Sequence, residues 1–237
     1  MKIFFTEPSL IKGNFLFLKE EEFHHCANVL RLEGEDEIRV VDGRGYEYIV
    51  MIRKINRRER KIKCEILKKE KSKKEPSTYV ALAQGIIKGE RMELVLEKAT
   101  ELGIMEIIPM ISDRSVRIPK KIPERWKRKM ISAMKQSGRA FLPKLSEPKT
   151  FDEVISMGSN FEGAFLADPS GDKRLLELHD GMKILMAIGP EGGFTDDETR
   201  KARERGFYIF NMGQRILRSE TAGIAALAIL FAKTGEI

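Results

Sequence analysis

Cysteine is scarce. The 237 residues hold two, Cys26 and Cys64, with no C-x-x-C pair. That excludes a disulfide framework and points to free thiols in a reducing compartment. Histidine is almost as rare, with three, and at these spacings histidine and cysteine make no zinc site. Long apolar runs are missing too. "MKIFFTEPS" at the start is too short an apolar stretch for a signal peptide. "IAALAILFA" (224–232) is too short to span a bilayer. The expectation is a soluble cytoplasmic protein with neither metal nor membrane partner. Asparagine and glutamine are few beside Lys, Arg and Glu, a weak thermophile signature.

Basic charge is present and unevenly placed. The net charge is +7, which suggests a polyanionic partner. Residues 53–74, "RKINRRERKIKCEILKKEKSKK", carry twelve Lys/Arg against three Glu, a density that favours a surface facing nucleic acid over a merely solvated strand. A second basic stretch, "RIPKKIPERWKRK" (117–129), holds the only tryptophan, Trp126. Two readings of it stand open: a ring that stacks on a base, or a core anchor.

Hydrophobic periodicity divides the chain. In the first part, "KIFF", "FLFL", 37–42, 46–55 and 61–67 read as short strands. The "DGRG" turn (42–45) joins two of them. Residues 20–32 read as a helix with Phe23, Cys26, Val29 and Leu30 on its inner face. "KKEKSKKEPS" (68–77) reads as a linker. The expected domains are therefore 1–72, a small β-barrel, and 73–237. In the second, strands at 78–86, 105–111, 163–168, 183–189 and 207–213 alternate with helices at 88–103, 123–139, 195–206 and from Ser219. That pattern means an α/β layer with a mostly parallel sheet.

Two strand–loop–helix units near the end carry the chemistry. "KILMAIG-PEGGF-TDDE" enters a helix through a T-x-x-E capping box, Thr195 and Glu198. "FYIFNMG-QRILR-SETAG" enters the last helix with Ser219 or Thr221 as its cap. Both loops leave the carboxyl edge of one sheet, where open α/β sheets bind ligands. The loops lack G-x-G-x-x-G spacing, a P-loop and a G-x-S-x-G elbow. They offer main-chain groups, fitted to an adenine or ribose. Glu191, Arg215 and Arg218 are then left for a second, anionic substrate.

"IGPEGGFTDDE" (188–198) followed by "NMGQRILRSETAGIAAL" (211–227) resembles the paired signature of the SPOUT-class RNA methyltransferases, in particular the RsmE type. "HHCANVLRLEGEDEIRVVDGRGYEY" (24–48), "KGERMELVLEKATELG" (88–103) and "KQSGRAFLPKL" (135–145) resemble further segments of the same family. The likeness spans essentially the whole chain. It implies a trefoil-knotted α/β domain with flanking helices and a PUA-like N-terminal barrel that helps bind RNA. It also implies a homodimer whose active site borders the interface. The implied reaction uses S-adenosylmethionine to methylate N3 of a uridine in small-subunit ribosomal RNA, naked or within the assembled 30S subunit. By position, the implied cofactor residues are Leu166, Ala167, Asp168, Ile188, Gly189, Pro190, Glu191, Gly192, Gly193, Met212, Gly213, Ile216 and Leu217. Implied RNA contacts are His24, His25, Arg31, Arg44 and Arg139, though the adjacent histidines fit a structural role equally. Arg215, Arg218 and Glu191 are the expected catalytic residues. Glu191 is open to a bracing role, and Glu220 to either accepting a proton or favouring the helix dipole. Two alternatives remain: a non-catalytic RNA-binding or ribosome-assembly protein, and a methyltransferase of the same fold acting on another RNA.

Overall fold

The computed structural model describes residues 2–115, 121–177 and 181–237. Residues 117–120 of the second basic stretch lie outside them. The chain divides into two compact units, Met1–Glu75 with Ile131–Leu142, and Pro76–Met130 with Pro143–Ile237.

The first unit is a six-stranded sheet. Its order is Ile3–Phe5, Glu37–Val41, Tyr46–Asn56, Lys61–Lys71, Phe15–Lys19, Ile11–Lys12. Only the first pair is parallel. The chain just after the first strand of this order reaches the fifth, Phe15–Lys19, where Thr6 Oγ1 donates to the carbonyl of Phe17 at 2.8 Å, so the sheet curls towards a barrel. The period-2 alternation fills its inside with Phe4, Leu16, Leu18, Ile38, Val40, Val50, Ile52, Ile62 and Cys64, all buried. Burial pushes both cysteine thiols up to about 12, which removes them as nucleophiles.

Two sequence expectations fail here. Residues 68–71 are strand rather than linker, because Tyr46–Asn56 begins directly after the "DGRG" turn and Lys61–Lys71 runs along its whole length to pair Lys71 with Tyr46. Lys69 there lies 4.3 Å from the ring centroid of Tyr46. The 20–32 helix is one α turn, Glu20–Phe23, followed by a wider π turn, His24–Val29. Widening the turn changes the helical phase. Ala27 turns inward and Val29 is 57% exposed, where the α period had placed it in the core.

The second unit is a parallel sheet. Its order is Lys149–Thr150, Glu106–Ile111, Tyr79–Gly85, Lys183–Ile188, Gly163–Ala167, Tyr208–Asn211, Lys173–Arg174. Lys144–Leu145 also pairs with Glu106–Ile111. Strands buried on both faces read as continuous apolar runs, and "LMAI" of Lys183–Ile188 is fully buried. The helices Glu90–Leu102, Phe151–Ser156, Asp196–Glu204 and Ser219–Lys233 belong to this unit, while Glu124–Ser137 is divided, its residues from Ile131 onward belonging to the first. Gly103 ends the first of these in the left-handed region, φ 114°. Trp126 is 4% exposed, so the core reading of it holds.

The capping box at Thr195 forms as expected, and Glu198 does more than complete it. Its Oε2 accepts from Thr195 N, while Oε1 accepts from Asp113 N, both at 2.9 Å. Thr195→Ala is expected to cost about 1 kcal/mol. Glu198→Ala, which orphans two backbone donors, is expected to cost about 2 kcal/mol or more. Equilibrium urea denaturation of the two variants checks the order.

Candidate active site

Strand order brings three loops together. Gly163–Ala167 lies between Lys183–Ile188 and Tyr208–Asn211, so loops after all three leave one edge. They enclose a cavity of about 480 Å³, within the range of small-molecule sites. All but one of the expected cofactor residues line it, namely Ala167, Asp168, Ile188 to Gly193, Met212, Gly213, Ile216 and Leu217. Leu166 is fully buried in its strand, outside the lining.

Each loop is fastened. Asp168 Oδ1 accepts from the amide and hydroxyl of Ser170. Asn211 Nδ2 donates to Gly171 O at 2.7 Å, and its Oδ1 accepts from Gly213 N. The first and third loops are thereby joined. A Cβ on Gly85 would overlap the backbone nitrogen of Pro190, so only glycine lets the 189–194 loop start this close to the neighbouring strand. Gly193 and Gly213 hold φ of +67° and +94°, which side-chain-bearing residues rarely adopt.

The expected catalytic residues separate. Arg215 is exposed and lines the cavity. Arg218 is exposed, occupies the N-cap position of the last helix and lies outside the lining. Glu191 Oε1 accepts from Lys88 N at 3.3 Å and faces Arg91 Nη1 at 3.4 Å, which is a brace between loops. Glu220 is 6% exposed and does not line the cavity.

Sequence reasoning missed three contributors. Arg114 Nη1 donates to Gly192 O and Phe194 O at 2.8 and 2.9 Å and holds the second loop from a turn far away in the chain. Gln84 is buried in the strand "YVALAQG", where a lone polar residue in an apolar run was the available signal. Ser219 had been read as a cap. The N-cap position falls to Arg218 rather than to Ser219 or Thr221, and the Ser219 hydroxyl faces Gln84 and the second loop.

The expected RNA contacts scatter over the first unit. His24 is exposed, with Nδ1 3.0 Å from Asn28 Nδ2. Arg31 and Arg44 are exposed. His25 is half-buried, its ring 5.6 Å from that of Phe4. Burial, then Lys135 and Lys2, hold it below the usual histidine range. Arg139 is the correction. It is 3% exposed, with Nε and Nη2 on Glu75 Oε2. A guanidinium buried against a carboxylate is a structural tie, and the exposed arginine expected there is absent.

A fastened, glycine-walled cavity at the carboxyl edge of a parallel sheet marks an α/β protein built to hold a nucleotide-like ligand. The chain belongs to the RNA methyltransferase family, as residues 73–231 match the family described as "RNA methyltransferase domain" and residues 18–72 match "RNA methyltransferase PUA domain". It is similar to the ribosomal RNA small subunit methyltransferase E of Bacillus subtilis, 29% identical over 97% of this chain and 94% of that protein. The protein of that name from Aquifex aeolicus is 30% identical over 97% and 99%. Among solved structures, a ribosomal RNA small subunit methyltransferase E from Neisseria gonorrhoeae bound to S-adenosyl methionine superposes with a TM-score of 0.88. That pair is 31% identical over 98% of this chain and 97% of the other. The resemblance to the RsmE type and the α/β class with a PUA-like N-terminal domain are borne out.

Proposed function

We propose that this chain is an S-adenosylmethionine-dependent methyltransferase acting on N3 of a uridine in small-subunit ribosomal RNA. The observation that carries the reading is the three-loop cavity, in a chain similar to a methyltransferase solved with that cofactor. The cavity fits the group in size, and its wall is largely main chain and glycine, which lets a ligand approach the backbone. Ala167, Asp168, Ile188 to Gly193, Met212, Gly213, Ile216 and Leu217 hold the cofactor, with Leu166 packed behind them. When bound, the cofactor supplies an electrophilic methyl group on a sulfonium.

The chain's own tasks are alignment and removal of the N3 proton. Arg215 stabilises the negative charge that appears on the uracil oxygens as the proton leaves. Arg218 takes a phosphate of the incoming RNA. Glu191 acts by bracing the cofactor loop. The catalytic part is 73–237, and 1–72 is the RNA-binding barrel, its exposed Arg57, Arg58 and Arg60 at a hairpin tip adding to Arg31 and Arg44. The enzyme works as a cytoplasmic homodimer on the 30S subunit. In support, Ile216 is 93% exposed, and the last helix leaves Thr221, Ala222, Ala225, Ala228 and Ile229 only partly covered or exposed.

The test is methyl transfer from labelled S-adenosylmethionine to unmethylated small subunits, stripped ribosomal RNA and bulk transfer RNA, with nucleoside mass spectrometry of the product. 3-Methyluridine on the small subunit is expected. A ribose-methylated product, or product on transfer RNA alone, overturns the assignment of atom and substrate. No product and no cofactor binding leave an RNA-binding module.

A further inference from the structure

The second and third loops both line the cavity, and a ligand held between them needs them at a fixed separation. One buried hydrogen-bond chain runs between their roots. Gln84 sits at the end of Tyr79–Gly85, paired with Ile188, the last residue of the neighbouring strand. It is fully buried. Its Nε2 donates to Ser219 Oγ at 2.8 Å and to Gly85 O at 3.2 Å. Ser219 Oγ, at the start of the last helix, donates to Gly189 O at 2.5 Å. Gly189 opens the second loop and lines the cavity, and Ser219 closes the third loop and also lines it.

The direction of the chain is fixed by its chemistry. An amide nitrogen only donates, so the serine accepts there, and its single proton is left for the Gly189 carbonyl. Were the amide turned over, the serine would give its proton to the glutamine oxygen and Gly189 O would lose its donor. Bonding of Nε2 to Gly85 O holds the amide in the working orientation. Gln84 Oε1 is buried with no hydrogen-bond partner among the described residues. It lies where a Cβ on Gly223 would approach to 2.6 Å, so the last helix closes over it only because residue 223 is glycine. Burying an unmatched acceptor is costly, and the fold retains it with the donor side on Ser219 and Gly85.

We infer that Gln84 is a positioning residue of the cofactor cavity, which acts through Ser219 to set the Gly189 peptide and the spacing of the two loops. The inference rests on the cofactor reading above. Its substrate-side consequence is selective: cofactor affinity depends on the chain, and RNA affinity does not.

The test measures S-adenosylmethionine binding by calorimetry, RNA binding by filter retention and the thermal midpoint. It covers the wild type, Gln84→Met, Ser219→Ala, the double variant and Ser219→Thr. Each of the first two substitutions is expected to weaken cofactor binding about five- to ten-fold, the worth of one buried hydrogen bond. The double variant should bind no worse than the weaker single, because the groups act as a unit. Ser219→Thr, with its hydroxyl kept, should regain part of what Ser219→Ala loses, and RNA binding should not move. If Gln84→Met does not fold, Gln84→Asn keeps the polarity, shortens the reach and answers the same question. Variants with a lowered thermal midpoint and wild-type cofactor affinity overturn the inference, as do additive losses. A wild type that binds no S-adenosylmethionine removes the cofactor reading itself, an outcome distinct from the other two.

Discussion

Arg215→Ala is expected to lower kcat for methyl transfer by about 10²- to 10³-fold, with the KM for S-adenosylmethionine little changed. The magnitude is that of removing one preorganised group which meets charge developing in the transition state. The split follows from geometry. Arg215 lines the cavity, while the fastening bonds of the loops run through Asn211, Arg114, Glu191 and Ser219. Its loss therefore leaves the walls standing. Arg218→Ala, outside the lining, should instead raise the KM for RNA and steepen no step of the chemistry. Steady-state kinetics with saturating cofactor and then with saturating RNA separate the two. An Arg215→Ala enzyme with near wild-type kcat would remove that residue from the catalytic centre.

Glu75→Ala is expected to destabilise the protein by about 3–5 kcal/mol, the range for removing one partner of a buried ion pair. Four donors converge on that carboxylate. Arg139 Nε and Nη2 lie at 2.9 and 2.8 Å, and Ala140 N and Phe141 N at 2.8 and 3.0 Å. Burial lowers the affinity of Arg139 for its proton, and Glu75 opposes that. Glu75→Gln, which keeps an acceptor and loses the charge, should cost less than Glu75→Ala. Urea midpoints at constant m-value measure both. If Arg139 were mainly an RNA contact, Glu75→Ala would leave stability nearly unchanged and weaken only RNA binding.

Much of this was legible in the sequence because local and global signals agree. The 195–206 helix was announced by a capping box that forms in full, and the end of the 88–103 helix by Gly103. The cavity loops were legible because glycine and proline after an apolar run have few other uses. The failures have two causes. The π turn at His24–Val29 is invisible to a 3.6-residue period, so Val29 was assigned to the wrong side. Ser219 carries the residue type of a cap, but the helix begins at Ser219 itself, and a buried glutamine 135 residues earlier takes its hydroxyl. Arg139 looks like any arginine of a basic protein until Glu75, 64 residues away, takes it into the interior. The last two concern a partner distant in sequence, which no local pattern encodes, and the first a change of period within one helix.

The membership of residues 131–142 in the first unit bears on how such a protein can be recombined. The two family regions meet in sequence at residues 72 and 73, like beads on a string. The packing is not of that kind. Met134, Ala140 and Leu142 complete a cluster with Val41, Ile3 and Phe5, and Gly45 N and Leu142 N bond Ala140 O and Gly43 O, at 3.0 Å each. A gene fusion that transplanted residues 1–72 onto another catalytic domain would leave that cluster open to water and the Asp42 turn half-bonded. The barrel is inherited together with a strip of the region that follows it, and exchange between lineages must carry both pieces at once.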